Sequence, residues 1–226
     1  KPQGNHRRRP GFSRDIPPGQ NARRRLGRPS TAEIGFVRKR RDLLPASHRR
    51  RIPHSMTGTP NFDFRVGIGF DSHPLTPGRR LVLGGVEIPH DRGLAGHSDG
   101  DVLVHAIMDA LLGAANLGDK GVHFPSSDPQ YKDISSLVLL DKVATLLNEV
   151  GWRVSNVDAT ITAQNPRLGP FIQSMREQAA KALSLPPGRV SVKTTTTDHL
   201  GFVGREEGIA TYAVASIISV QATAPD

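Results

Sequence analysis

The sequence predicts an α+β fold, a small mixed β-sheet with helices packed on one face. Three observations carry this. Period-two strand patterns and period-three-to-four helix patterns both occur. They mix without the strict alternation of a parallel α/β sheet. From about residue 61 onward there is neither an internal repeat nor a linker, so one domain is expected over 61–226.

Residues 64–70 read as a strand, and the Asp71-x-His73 pair stands at its end. Residues 81–89 follow a Pro77-Gly78 turn and form a hairpin bent at Gly84-Gly85. Ser98 is the expected N-cap of the next helix, with Asp99 and Asp101 in its first turn. Val102, Leu103, Ala106, Ile107, Ala110, Leu111 and Ala114 form its apolar face, and it ends near Gly118. His105 and Asp109, four apart, share one face. Residues 119–133, broken by glycine and proline, are expected to be a loop. A second amphipathic helix covers 134–150, with Gly151 just past its end. Residues 154–163 alternate, with Val157, Ala159, Ile161 and Ala163 facing inward. A loop over 164–170, a helix over 171–183, a strand over 190–195, a loop over 196–205 and a closing strand over 209–220 complete the body.

The charge is uneven. Residues 1–60 hold 16 of the 30 Lys+Arg and three acids, Asp15, Glu33 and Asp42, a formal +13. The remainder, 14 bases against 18 acids, is at −4, so the pI near 10.6 belongs to the leader alone. The leader is Arg-, Pro- and Gly-rich without periodicity and is expected to be disordered. Three roles compete for it. A nucleic-acid arm would use phosphate neutralisation but lacks interleaved aromatics. A transit peptide would also be Ser-rich and amphipathic. The preferred reading is an upstream extension without a role, with translation beginning at Met56. There is no cysteine, which excludes disulfides and thiolate metal sites. No apolar run is long enough for a membrane span. A soluble cytoplasmic protein is expected, with a plastid the alternative if the leader is a transit peptide.

Chemistry concentrates between residues 66 and 109. Side chains two apart on a strand share a face, so Asp71 and His73 point the same way. A helix-borne histidine, from the pair His97 and His105, would complete a three-ligand site with an open position, as zinc catalysis uses. Taken singly each residue has a bland reading, a packed histidine or a strand-end cap; the joint pattern raises the site above it. His97 at the helix mouth could instead orient substrate. Thr194 to Thr197 are ordinary strand residues alone, but before Asp198 and the Gly201/Gly204-Arg205 loop they read as phosphate donors, with Asp198 open to a hard cation.

Five stretches carry a resemblance: GIGFDSHPL (67–75), LGGVEIP (83–89), GLAGHSDGDVLVHAIMDALLGAANLGDKGVHFPSSDP (93–129), NVDATITAQNPRLGPF (156–171) and VKTTTTDHLGFVGREEGIA (192–210). Together they resemble the 2-C-methyl-D-erythritol 2,4-cyclodiphosphate synthase family, over about 64–220 and none of the leader. The resemblance implies a homotrimer with each site shared by two subunits. It makes Asp71, His73 and His105 ligands of one zinc ion per subunit, the first two also touching substrate. His97 and Ser98 match substrate contacts, with His97 aiding the transition state. Asp119, Lys120 and Gly121, with Phe124, Pro125, Ser126, Ser127 and Asp128, match a mobile loop over the methylerythritol part. Ala163, Gln164, Asn165, Pro166, Arg167, Leu168 and Gly169 match the segment that holds cytosine. Thr195, Thr196, Thr197, Asp198, Phe202 and Arg205 match a neighbour's contribution to the nucleotide and diphosphate, with Thr196 the second transition-state contact. Asp198 stands where some members have glutamate, which shortens its reach to a magnesium or manganese ion on the diphosphate. Lys120 and His123 fall in a variable part of the loop.

The implied reaction is intramolecular phosphoryl transfer in the non-mevalonate isoprenoid pathway, releasing CMP. Two other readings stand beside it: a generic zinc phosphohydrolase that uses water as nucleophile, and nucleic-acid binding through the leader.

Overall fold

A computed structural model describes residues 63–220. The readings of the basic leader, including its disorder and the start at Met56, lie outside the described residues.

A five-stranded sheet in the order β4-β1-β7-β5-β6 forms the scaffold. Its strands are β1 (Phe64–Pro77), β4 (Arg92–Leu94), β5 (Trp152–Thr162), β6 (Val190–Thr195) and β7 (Gly208–Ser219). All pairings are antiparallel except the β5–β6 edge, so the sheet is mixed. β2 (Leu81–Leu83) and β3 (Val86–Ile88) form a separate hairpin whose turn uses Gly84 and Gly85 at φ 59° and 72°. Helices α1 (Val102–Ala115), α3 (Ser136–Glu149) and α4 (Ile172–Ala182) pack against the sheet and one another. The α+β expectation, with helices on one face, holds.

Helix α1 is the centre of the core, with Leu103, Ile107, Met108, Leu111 and Leu112 fully buried. It crosses β1 where the strand has no side chains. A Cβ on Gly67 would lie 2.0 Å from the Ala110 carbonyl oxygen, and one on Gly69 2.0 Å from that of Ala106. Glycine is required there because helix backbone occupies the side-chain volume. The next two residues on that face are Asp71 and His73, and the strand–helix crossing aims them at His105. The opposite face of the sheet is apolar and exposed: Phe64, Val66, Ile68, Phe70, Tyr212 and Val214 are each 43–71% accessible.

Several local expectations are corrected. β1 continues to Pro77, so Asp71 and His73 sit inside the strand; β7 pairs with it as far as Pro74, and β4 takes over from Leu75. The cap of α1 is Asp101, not Ser98. Gly100 at φ 75° delays the helix, and Asp101 Oδ1 accepts from Leu103 N and Val104 N, both at 3.1 Å. The helix stops at Ala115, three residues early, through a left-handed Asn116. The expected loop over 119–133 contains α2 (Lys120–His123), capped by Asp119, and a 3-10 turn, Pro129–Tyr131, capped by Asp128. A 3-10 turn at Gly169–Phe171 precedes α4, and a short helix α5 (Gly201–Gly204) lies in the loop before β7. Gly151 does follow α3 at φ 82°. Among the described residues no helix is long and apolar enough to cross a membrane.

Candidate metal centre and substrate cavity

Asp71, His73 and His105 converge. Asp71 Oδ2 is 2.9 Å from both His73 Nε2 and His105 Nδ1, and the two ring nitrogens are 3.3 Å apart. Tetrahedral zinc with bonds of 2.0–2.1 Å sets its ligand atoms about 3.3 Å from one another.

The outer bonds of the two imidazoles fix which nitrogen faces inward. His73 Nδ1 meets the Ala95 carbonyl oxygen, an acceptor only, so Nδ1 carries the proton and Nε2 offers a lone pair. Ser136 Oγ donates to Asp99 Oδ1 at 2.5 Å, so its oxygen is free to accept from His105 Nε2 at 3.0 Å. That leaves His105 Nδ1 with a lone pair. Three lone-pair atoms therefore point at one another, which is repulsive unless a cation stands between them. The donor set fits a divalent metal ion, with the outer hydrogen bonds such ligands need.

The electrostatics agree. Burial alone would raise the Asp71 carboxyl. The adjoining His105 and His73 rings and the nearby Lys120 charge hold it far below the usual carboxylate range instead. Burial pushes the His73 imidazole down, yet its bond to Asp71 and that residue's charge leave it above its ordinary value.

His73 and His105 of the triad line a cavity of about 250 Å³ together with His97, Ser98, Met108, Lys120, Gly121, Phe124, Ser126, Tyr131 and Leu139. His97 is held by Nε2 at 3.1 Å from the Asp128 carbonyl oxygen. Ser98 Oγ is buried, 3.1 Å from His105 Nε2. Asp119, Ser127 and Asp128 lie on the same loop outside the lining, and Asp119 and Asp128 cap its two turns.

Most of the remaining expected residues lie away from the triad. Ala163, Gln164, Pro166, Arg167, Leu168 and Gly169 line a second cavity of about 440 Å³ with Thr195 and Thr196. Asn165 bonds Glu206. Thr195, Thr196 and Asp198 are exposed, and Thr197 Oγ1 donates to the Leu200 carbonyl oxygen at 2.6 Å. Arg205 is engaged by Glu207 at 2.9 and 3.0 Å. Phe202 shares a shallow cavity with His73. Register places Asp71, Thr211, Ile161 and Thr194 in line across four strands. Three strand spacings put the threonine run roughly 14 Å from the triad.

Sequence reasoning missed Ser136 and Asp99, whose pairing orders His105, and placed Lys120 only in the loop, without its contacts to Asp109 Oδ2 at 3.0 Å and Asp71 Oδ1 at 3.4 Å. The His105/Asp109 spacing was the one available hint of the latter. Thr211 Oγ1, opposite Asp71, is the one buried side-chain polar atom without a partner among the described residues.

Fold and site together define a mixed α+β protein with, among the described residues, one candidate Asp/His/His metal site beside a small cavity. The YgbB family model matches residues 64–218. A curated relative from Syntrophomonas wolfei, 2-C-methyl-D-erythritol 2,4-cyclodiphosphate synthase, is 63% identical over 153 residues, which is 68% of this chain and 98% of the relative. The enzyme of that name from Moorella thermoacetica is 58% identical over 160 residues, 71% of this chain and 98% of its own. Among solved structures, the bifunctional IspDF of Campylobacter jejuni aligns with a TM-score of 0.69 at 42% identity, covering 71% of this chain and 44% of that one. A Plasmodium falciparum IspF, described as a CDP complex, aligns at 0.62 and 28%, covering 70% and 97%. The chain belongs to the YgbB family, and its activity is that of 2-C-methyl-D-erythritol 2,4-cyclodiphosphate synthases, lyases of isoprenoid biosynthesis.

Proposed function

We propose that Asp71, His73 and His105 hold one zinc ion per subunit, that residues 61–226 assemble as a homotrimer, and that two subunits share each active site. The observation that carries this is the convergence of three lone-pair atoms beside one cavity, with Ala163 to Gly169 and the threonine run lining a separate cavity toward the far edge of the same sheet. The exposed apolar face of β1 and β7 supports assembly, because a monomer rarely leaves such a patch in water. The P. falciparum relative described as a CDP complex supports a cytidine nucleotide as ligand.

The substrate is 4-diphosphocytidyl-2-C-methyl-D-erythritol 2-phosphate. An oxygen of its 2-phosphate bonds to the β-phosphorus, and the bond from that phosphorus to the bridging oxygen breaks. CMP leaves with the bridging oxygen and its electron pair, and the cyclic diphosphate remains. The nucleophile is already anionic, so the protein's work is alignment and charge compensation. A bound zinc ion supplies Lewis acidity at a phosphoryl oxygen.

In this reading His97, steadied by the Asp128 carbonyl, donates to the phosphoryl oxygens as charge shifts, and Ser98 assists. Asp119, Gly121, Phe124, Ser126, Ser127 and Asp128 close over the methylerythritol. A neighbour supplies Ala163 to Gly169 for cytosine, and Thr195, Thr196, Thr197, Phe202 and Arg205 for the nucleotide and diphosphate. Arg205 exchanges Glu207 for phosphate, and Asp198 reaches a magnesium or manganese ion. The generic phosphohydrolase is not favoured, since the relatives are synthases by name. Nor is leader-driven nucleic-acid binding, since the leader lies outside the family match.

Co-expression of differently tagged His105→Ala and Thr196→Ala chains tests the shared site. Each alone is expected to be inactive. Random mixing restores about a quarter of the sites, those pairing an intact triad with an intact neighbouring threonine. Mixed assemblies without activity would contradict it.

A further inference from the structure

Lys120 reaches back from the first turn of α2 to the triad. Its Nζ is 3.0 Å from Asp109 Oδ2 and 3.4 Å from Asp71 Oδ1, and its backbone N–H donates to Asp109 Oδ1 at 2.7 Å. Both ends of the residue are thus fastened to one carboxylate on α1. The division of Asp71 follows: Oδ2 faces the two imidazoles, and Oδ1 is occupied by the ammonium. The lysine side chain is 28% exposed, so the ion pairs are only partly screened by water.

We propose that Lys120 is a positioning residue that tunes the metal centre: it holds Asp71 to one-oxygen ligation and, as a tethered positive charge, keeps the affinity for a dication low. The proposal rests on the reading that the triad binds a divalent ion. The tether matters because Asp109 shares the ammonium and keeps it from closing fully onto Asp71. The charge arithmetic fixes the direction. With the ammonium gone, the Asp71 oxygen is freed and the Asp109 carboxylate stands unneutralised beside the site. Both changes favour a dication. A merely structural lysine would act the other way, since its loss would loosen α2 and the ligand geometry.

The test is the zinc dissociation constant of the full chain, by competition with a chromophoric chelator, for wild type, Lys120→Met, Lys120→Gln, Lys120→Arg and His105→Ala. The proposal expects Lys120→Met and Lys120→Gln to bind zinc tenfold or more tighter than wild type, and Lys120→Arg to stay within about threefold of it, because the charge is kept. Neutral variants that bind equally or more weakly would overturn the proposal, as would an arginine variant as tight as the neutral ones. His105→Ala keeps the two readings apart. If it loses zinc while Lys120→Met does not tighten, the lysine proposal alone fails. If it binds like wild type, the triad reading fails and takes the proposal with it.

Discussion

Ser136 Oγ lies 3.0 Å from His105 Nε2, with its own proton committed to Asp99 Oδ1. The hydroxyl is therefore an acceptor toward the imidazole, and it turns the Nδ1 lone pair inward. Ser136→Ala removes that acceptor, leaving only the more distant Ser98 oxygen at 3.1 Å. Zinc affinity is expected to fall about 10- to 100-fold, the usual penalty for losing an outer partner of a metal-bound histidine. Chelator competition measures it. An unchanged dissociation constant would show that Ser98 suffices.

The approach of α1 to β1 sets the distance from His105 to the strand ligands. A methyl group at Gly69 would meet the Ala106 carbonyl oxygen at 2.0 Å and the Ala110 nitrogen at 2.7 Å, both backbone. Gly69→Ala is therefore expected to destabilise by about 3 kcal/mol or more and to weaken zinc binding with it. Urea unfolding and chelator titration of the same preparation check both. Wild-type stability would mean the helix can move away without cost.

Asp101 gives a pH signature. Burial, with the Asp99 charge added, pushes its carboxyl up to about 6, although Gly85, Leu103 and Val104 N–H groups donate to it. An acid whose folded value is raised holds its proton more tightly in the native state. Its contribution is therefore full below the unfolded value, near 3.8, and is lost as pH rises through about 6. Asp101→Asn lacks that titration. The stability of wild type relative to Asp101→Asn should fall between pH 4 and 6 by on the order of 3 kcal/mol, read from urea midpoints. Parallel profiles would contradict it.

The convergence of Asp71, His73 and His105 was legible in the sequence because both periodicities are local. Asp71 and His73 share a strand face whatever the fold, and the capped helix start places His105 on an inward turn. The strands over 64–70, 154–163 and 190–195 were readable from the same alternation, and the Gly84-Gly85 hairpin from its turn. What failed depended on partners distant in sequence. β1 runs on to Pro77 because β4 and β7 pair with it, and neither pairing is written in the strand itself. Ser98 lost the cap to Asp101 because Gly100 bends the chain and His105 and Ser136 take its hydroxyl. Ser136 meets its histidine across 31 residues, a contact no local pattern encodes. Lys120, 49 residues from Asp71 in the chain, gave no sign that its ammonium folds back on that carboxylate.

The central claim is cyclisation at the Asp71/His73/His105 centre, with the substrate's own phosphate as nucleophile. Turnover of 4-diphosphocytidyl-2-C-methyl-D-erythritol 2-phosphate in ¹⁸O-labelled water, with products read by mass spectrometry, tests it most directly. The account predicts CMP and a cyclic diphosphate, both free of label, from wild type and neither from His105→Ala. A linear product carrying one solvent oxygen would contradict it.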